Sequence, residues 1–258
     1  MFVLILLSLP AVLQAARWNL HKKRKDFSMN KFFVAAGFLL ILCQAVLAGE
    51  ISGEILLKSK ELPGRATNSN PNRKKVLKKY GMKVVRSARQ NGGGLPPNAK
   101  VDERDYAIVF LDSESDGSKL KATERTVTVD QEQRRFIKHV TPVTLGSQVR
   151  FSNQDSFFHH IYCPDSSSMC VPEHSGSVTR RPDRLGKYEL FCDIHPLMNA
   201  YVYVVPNDFY AMANGGKFKI KNVPPGTYTL RMWHPRLPGS SQTITVKGDS
   251  VSTVKLGL

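Results

Sequence analysis

The sequence predicts an all-β protein assembled from sandwiches. Short apolar runs recur at near-regular spacing from residue 106 onward, several of them alternating apolar with polar residues. Turn signals separate these runs, and no stretch among them carries a sustained helical period. With 258 residues, 41% of them hydrophobic, the chain has material for one or two packed cores.

Residues 51–57 (Ile-Ser-Gly-Glu-Ile-Leu-Leu) read as the first short strand. The composition then changes. Residues 58–100 hold twelve Lys and Arg against one Glu, together with Asn-, Gly- and Pro-rich stretches. Low apolar content with one-sided charge predicts a disordered basic insertion, whose alternative role is docking onto an acidic partner. That segment and the first 48 residues account for the formal net charge of +16, so the rest is close to neutral.

Residues 106–111 (Tyr-Ala-Ile-Val-Phe-Leu) predict a strand. So do residues 126–129 and the alternation through Val143, Leu145, Val149 and Phe151, with Gly146 as a turn. Asn153, Gln154 and Asp155 read as another turn, and residues 188–192 and 199–205 as two more strands. Beyond Pro206, strands are expected at 217–221, 228–233, 244–246 and 251–256, broken by Gly215-Gly216 and Pro224-Pro225-Gly226.

The N-terminus has two apolar runs. Residues 29–48 read as a Sec-type signal peptide: a positive start at Lys31, an apolar core, and small residues before a cut after Ala48. Cys43 follows Leu42, which argues against a lipoprotein signal. Residues 1–28 are then an extension ahead of a second possible start at Met29. Neither run reaches the ~20 apolar residues of a membrane span, so export to the periplasm without stable membrane insertion is expected. Nucleic acid is not an expected partner of an exported protein.

Chemistry concentrates in residues 191–198, Phe-Cys-Asp-Ile-His-Pro-Leu-Met. The spacing C-x2-H-x2-M places a thiolate, an imidazole and a thioether within seven residues. A regular strand cannot turn all three one way, but a tight loop can. The metal suited to one thiolate, two imidazoles and a weak thioether is copper in a blue-copper site. Residues 157–162, Phe-Phe-His-His-Ile-Tyr, supply the second imidazole, and adjacent strand residues face opposite ways, so one of His159 and His160 can serve.

Cysteine usage agrees with export. Signal removal leaves Cys163, Cys170 and Cys192. Cys163 and Cys170 bound a small loop that can close as a disulfide in an oxidising compartment, a buried unpaired Cys163 being the alternative. His139 reads as a surface strand residue, His174 as part of a polar loop, His234 as turn structure and Asp193 as a solvated loop residue.

C-x2-H-x2-M with Pro196 after His195 closely resembles the ligand loop of the cupredoxins, the amicyanin type in particular. Residues 149–155 leading into His159 resemble the cupredoxin strand that delivers the first His. The wider context, with residues 222–228 and Trp233-His234-Pro235, looks like bacterial cupredoxin-like proteins labelled methylamine utilization proteins. The resemblance spans roughly residues 105–238. It implies a Greek-key β-sandwich at 119–205 and a metal set of His159, Cys192, His195 and Met198. Cupredoxins commonly carry Asn after the first His; here His160 takes that place. The Pro-Pro-Gly-x-Tyr segment resembles the second half of a transthyretin-like or carboxypeptidase-regulatory β-sandwich. This implies a small immunoglobulin-like sandwich from 49–57, 101–118 and 206–258, interrupted by the copper domain.

The function implied is that of a periplasmic type 1 copper protein with one ion cycling between Cu(I) and Cu(II). It would carry single electrons between a redox enzyme, such as a dehydrogenase, and a c-type cytochrome or similar acceptor. No nucleophile–base constellation or phosphate loop is present, so no enzyme activity is expected. The alternatives are a copper buffer or chaperone without electron transfer, and a β-sandwich binding or scaffold module.

Overall fold

The computed structural model describes residues 48–56, 102–114, 120–195 and 198–257. The signal segment through residue 47 and the basic insertion 58–100 lie outside the described residues. The strands described are β1 (Gly49–Leu56), β2 (Ile108–Glu114), β3 (Thr126–Glu132), β4 (Arg135–Phe136), β5 (Val140–Thr144), β6 (Gln148–Asn153), β7 (His159–Tyr162) and β8 (Val171–His174), followed by β9 (Gly176–Arg180), β10 (Gly186–Cys192), β11 (Asn199–Val205), β12 (Tyr210–Met212), β13 (Lys217–Val223), β14 (Gly226–Trp233), β15 (Ser240–Val246) and β16 (Val251–Gly257). The only helical pieces among the described residues are short 3-10 turns at Glu103–Tyr106 and Ser167–Met169.

Four sheets result. A three-stranded sheet in the order β13-β1-β16 and a four-stranded sheet β12-β2-β14-β15 share one core, including Ile51, Ile55, Leu111, Tyr228, Leu230 and Leu256. A five-stranded sheet β5-β11-β10-β7-β8 and a four-stranded sheet β4-β3-β6-β9 share a second, including Val129, Phe136, Phe151, Ile161, Tyr188 and Val202. The first core draws on strands from both ends of the described chain, and the strands of the second fall between them. β1 lies parallel to β16 and antiparallel to β13. It packs so closely there that a Cβ on Gly53 would sit 2.6 Å from the Val254 carbonyl oxygen.

β11 is buried on both faces. Ala200, Val202 and Val204 face the second core, whereas Tyr201 and Val205 pack with Ile108, Phe110 and Val140 in a third cluster. A strand buried on both faces reads as a continuous apolar run, as residues 200–205 do. This third layer stacks Tyr203 on Trp233 with ring centroids 4.4 Å apart.

Two buried tyrosines pin the ends of their strands in the same way. Tyr228 donates its hydroxyl to the Pro224 carbonyl at 2.7 Å, four residues upstream, which accounts for Tyr after Pro-Pro-Gly-Thr. Tyr188 donates to Asp183 at 2.6 Å and accepts from the Arg184 amide.

Most strands extend beyond the runs expected from the sequence, as Ser240–Val246 does beyond 244–246, but one starts later than expected. The strand expected from residue 106 begins at Ile108, because Asp102 caps the preceding 3-10 turn by accepting from the Arg104 amide at 3.0 Å. A local side-chain cap thus takes Tyr106 out of the sheet.

Candidate metal centre

The centre is assembled by strand register. In the β7–β10 pair, Ile161 lies opposite Cys192, and both side chains enter the second core. His159 is two residues before Ile161 and therefore projects from the same face. In antiparallel register its side chain comes level with the chain just past Cys192, where the loop carrying His195 begins.

The three donors meet there. Cys192 Sγ is 3.7 Å from His159 Nδ1 and 3.6 Å from His195 Nδ1, and the two Nδ1 atoms are 3.1 Å apart. Among the described residues no other group of three His, Cys, Asp or Glu side chains converges in this way. His159 and Cys192 are fully buried and His195 is half-buried, so the centre reaches the surface on the His195 side. Phe157 stands edge-on to both imidazoles, with centroids 5.5 and 5.3 Å away.

A carboxylate that the sequence pattern does not single out orients the first imidazole. His159 Nε2 is 2.9 Å from Asp155 Oδ2, and the Asp155 side chain is only 8% exposed. Burial alone would raise the Asp155 pKa. Hydrogen bonds from the Arg134 amide, His159 and the Gln133 amide outweigh it and hold the carboxyl below its ordinary value. An ionised carboxylate only accepts, so the imidazole proton sits on Nε2 and the Nδ1 lone pair faces Cys192. The signal available in the sequence was an Asp four residues before the His, read there only as a turn. Asp155 does form that turn, its amide donating to Asn153 Oδ1 at 2.9 Å.

Of the adjacent histidines, His159 faces the centre and His160 turns away to lie 3.8 Å from Asp193 Oδ2. The Asp193 amide donates to the His160 carbonyl at 2.9 Å, joining the two donor segments one residue beyond His159 and Cys192. Asp193 is therefore partly buried between them rather than solvated, and its Oδ1 is enclosed without a hydrogen-bond partner. Met198 is 1% exposed, shares the core with Cys192 and donates its amide to the His195 carbonyl at 3.0 Å.

Cys163 and Cys170 are free thiols in this structure, so the expected bridge is not formed. Cys170 Sγ lies against the main chain of Cys163 instead, 3.3 Å from its amide nitrogen, while Cys163 is buried in the core. The three histidines read as surface, loop or turn residues are also buried. His139, 8% exposed, lies edge-on between Tyr106 and Tyr201; His174, 7% exposed, meets Gln131 at 3.2 Å. His234, 4% exposed, takes amide hydrogens from Arg236 and Leu237 and donates to the Glu103 carbonyl at 2.8 Å. Each meets residues distant in sequence, which its neighbours along the chain do not reveal.

The electrostatics suit a neutral-imidazole, thiolate donor set. Burial, with His159 and Arg134 nearby, lowers His195 to about 4, so its ring is uncharged near neutrality. Burial pushes the Cys192 thiol upward, so a cation is needed to draw off its proton. A buried thiol and two converging imidazole nitrogens, one ring oriented by a carboxylate, fit a borderline or soft transition-metal ion better than a hard oxygen-seeking cation.

A family model described as Polysaccharide lyase family 4, domain II, matches residues 207–254, the stretch of β12 to β16. It differs from the transthyretin-like resemblance of that stretch and contains none of the converging donors. No curated protein sequence matches the chain. Among solved structures, a reduced Trp-to-Tyr variant of amicyanin is 18% identical, covering 37% of this chain and 97% of its own at a TM-score of 0.29. An oxidised Pro-to-Ala amicyanin variant is 18% identical, covering 38% and 98% at 0.27. A copper-containing nitrite reductase from Thermus scotoductus is 23% identical, covering 32% and 23% at 0.30. At these scores the likenesses carry no weight in assigning a function.

Proposed function

We propose that this chain is an exported copper protein that carries single electrons, with His159, Cys192 and His195 as ligands and Met198 as a weaker fourth. The observation that carries the reading is the convergence of one buried Sγ and two Nδ1 atoms, each within 3.7 Å of the others. Copper held there supplies a one-electron couple.

The chain's own residues supply the rest. Asp155 keeps the proton of His159 on Nε2, and β7 and β10 hold His159 and Cys192 on a common sheet face. Such a scaffold keeps the donors in one geometry whatever the charge between them, which limits reorganisation when an electron moves. Phe157 packs edge-on against both imidazoles, while half-buried His195 offers a redox partner its approach. The partners in this reading are a dehydrogenase-like donor and a c-type cytochrome-like acceptor. The chain performs no substrate chemistry itself.

Export rests on the signal pattern at 29–48. Among the described residues no helix is long and apolar enough to cross a membrane.

Adding Cu(II) to metal-free protein tests the proposal. The expected result is an intense visible charge-transfer band that bleaches on one-electron reduction, returns on reoxidation, and is missing from Cys192→Ser. Tight binding without colour would favour a copper buffer, and no binding would leave only a scaffold role.

A further inference from the structure

We propose that Cys163 and Cys170 are the reduced half of a dithiol–disulfide couple that clamps the hairpin delivering His159. The two residues flank that hairpin's loop: Cys163 follows β7 directly and Cys170 precedes β8 directly. Cys170 Sγ lies 3.3 Å from the amide nitrogen of Cys163 and 3.5 Å from its carbonyl oxygen. With Cys170 Sγ already against the backbone of Cys163, rotation of the two side chains toward each other is the movement that the bridge requires. The Ser167–Met169 turn, closed by the Cys170 amide on the Ser167 carbonyl at 3.1 Å, keeps the loop compact.

The hairpin has reason to need a clamp. β8 is the edge strand of its sheet, and its pairing with β7 is irregular between His159↔His174 and Ile161↔Val171. Such a short, irregular edge pair opens more readily than the central strands, and its far end carries a donor of the metal centre. A covalent link at the loop end restrains that opening.

The oxidant is a small-molecule disulfide. Half-buried Cys170, as thiolate, attacks one of its sulfurs; that S–S bond breaks, one half leaves as a thiol, and a mixed disulfide forms. Buried Cys163 then attacks Cys170 Sγ and the second thiol leaves. Two electrons and both thiol protons end on the two released thiols, and one protein disulfide is made. The link to copper retention rests on the proposed function; the pairing itself does not.

The test incubates the full chain, metal-free, with glutathione disulfide, followed by acid quenching, alkylation and peptide mapping. The expected product is a Cys163–Cys170 cross-linked peptide with Cys192 alkylated. Glutathione retained on Cys170 without an internal bridge, or a bridge to Cys192, would overturn the pairing. A second measurement follows copper transfer to bathocuproine disulfonate from oxidised parent and from Cys170→Ser, which spares the buried Cys163. Slower transfer from the oxidised parent is expected; equal rates would overturn the clamp. Failure to bind copper at all would remove the functional reading while leaving the mapped disulfide intact.

Discussion

Asp155 and His159 are joined through a 2.9 Å hydrogen bond in which the imidazole Nε2–H donates to the carboxylate. The same carboxylate takes the amides of Gln133 at 2.7 Å and Arg134 at 3.0 Å. Both of those residues have positive φ, 52° and 59°, so the β3–β4 turn aims two successive amides at one acceptor. The turn, the carboxylate and the imidazole thus form one chain of constraints ending at the Nδ1 that faces Cys192.

Asp155→Asn keeps the size of the side chain but removes its charge and allows the amide to flip. Copper affinity is expected to fall by roughly 10–100-fold, the usual effect of losing a carboxylate behind a ligating His. Competition against a chelator of known affinity measures it, and an unchanged affinity would mean that the tautomer is held by other means.

Met198 has two possible contributions, packing and a thioether, and Met198→Leu separates them. Metal-free stability should change by less than about 1.5 kcal/mol, because Leu nearly conserves buried volume. The visible spectrum and reduction potential of the copper form should nonetheless shift. A spectrum and potential identical to the parent would assign Met198 to the core alone.

Phe110 is 4% exposed in the aromatic layer of the third cluster, tilted toward Tyr203 at 5.6 Å. Phe110→Ala should cost about 3–5 kcal/mol. Because the layer joins strands of both sandwiches, urea unfolding should also split into two transitions. A single transition would show that the coupling between the sandwiches does not depend on this contact.

Burial is the first cause that lowers His139 to about 4, with Arg236 and His234 adding to it and Asn199 and Glu103 opposing. The unfolded ring titrates near 6.5, so between about 6.5 and 4 the unfolded chain binds a proton that the folded chain does not. Stability is complete above that window and falls as pH drops through it, by at most about 3 kcal/mol from this residue. His139→Gln should flatten the pH dependence of the urea midpoint between pH 6.5 and 4. An equally steep dependence in the variant would place the effect elsewhere, for example at His174 or His234, which burial also depresses.

Much of the fold could be read from patterns that are local. The alternation at 126–129 and 217–221 marks strands with one buried face, and Gly146, at φ 85°, marks the turn between β5 and β6. β4, β8, β9 and β12 were not legible. Two to five residues long, they hold too few alternations to stand out, and their pairing partners stabilise them. Cys192, His195 and Met198 could be singled out because their spacing is short. His159 could be narrowed only to a pair, and Asp155 could not be seen as a partner at all.

The sequence by itself determined the strand-rich class and the presence of thiolate, imidazole and thioether in one loop, since both follow from residues a few positions apart. Tertiary structure decided which histidine joins them, which carboxylate fixes its proton, and that three other histidines are buried. Those outcomes depend on the register between β7 and β10 and on the turn between β3 and β4. Register is set by pairing between segments about thirty residues apart, and no local pattern encodes which side chains will meet across it.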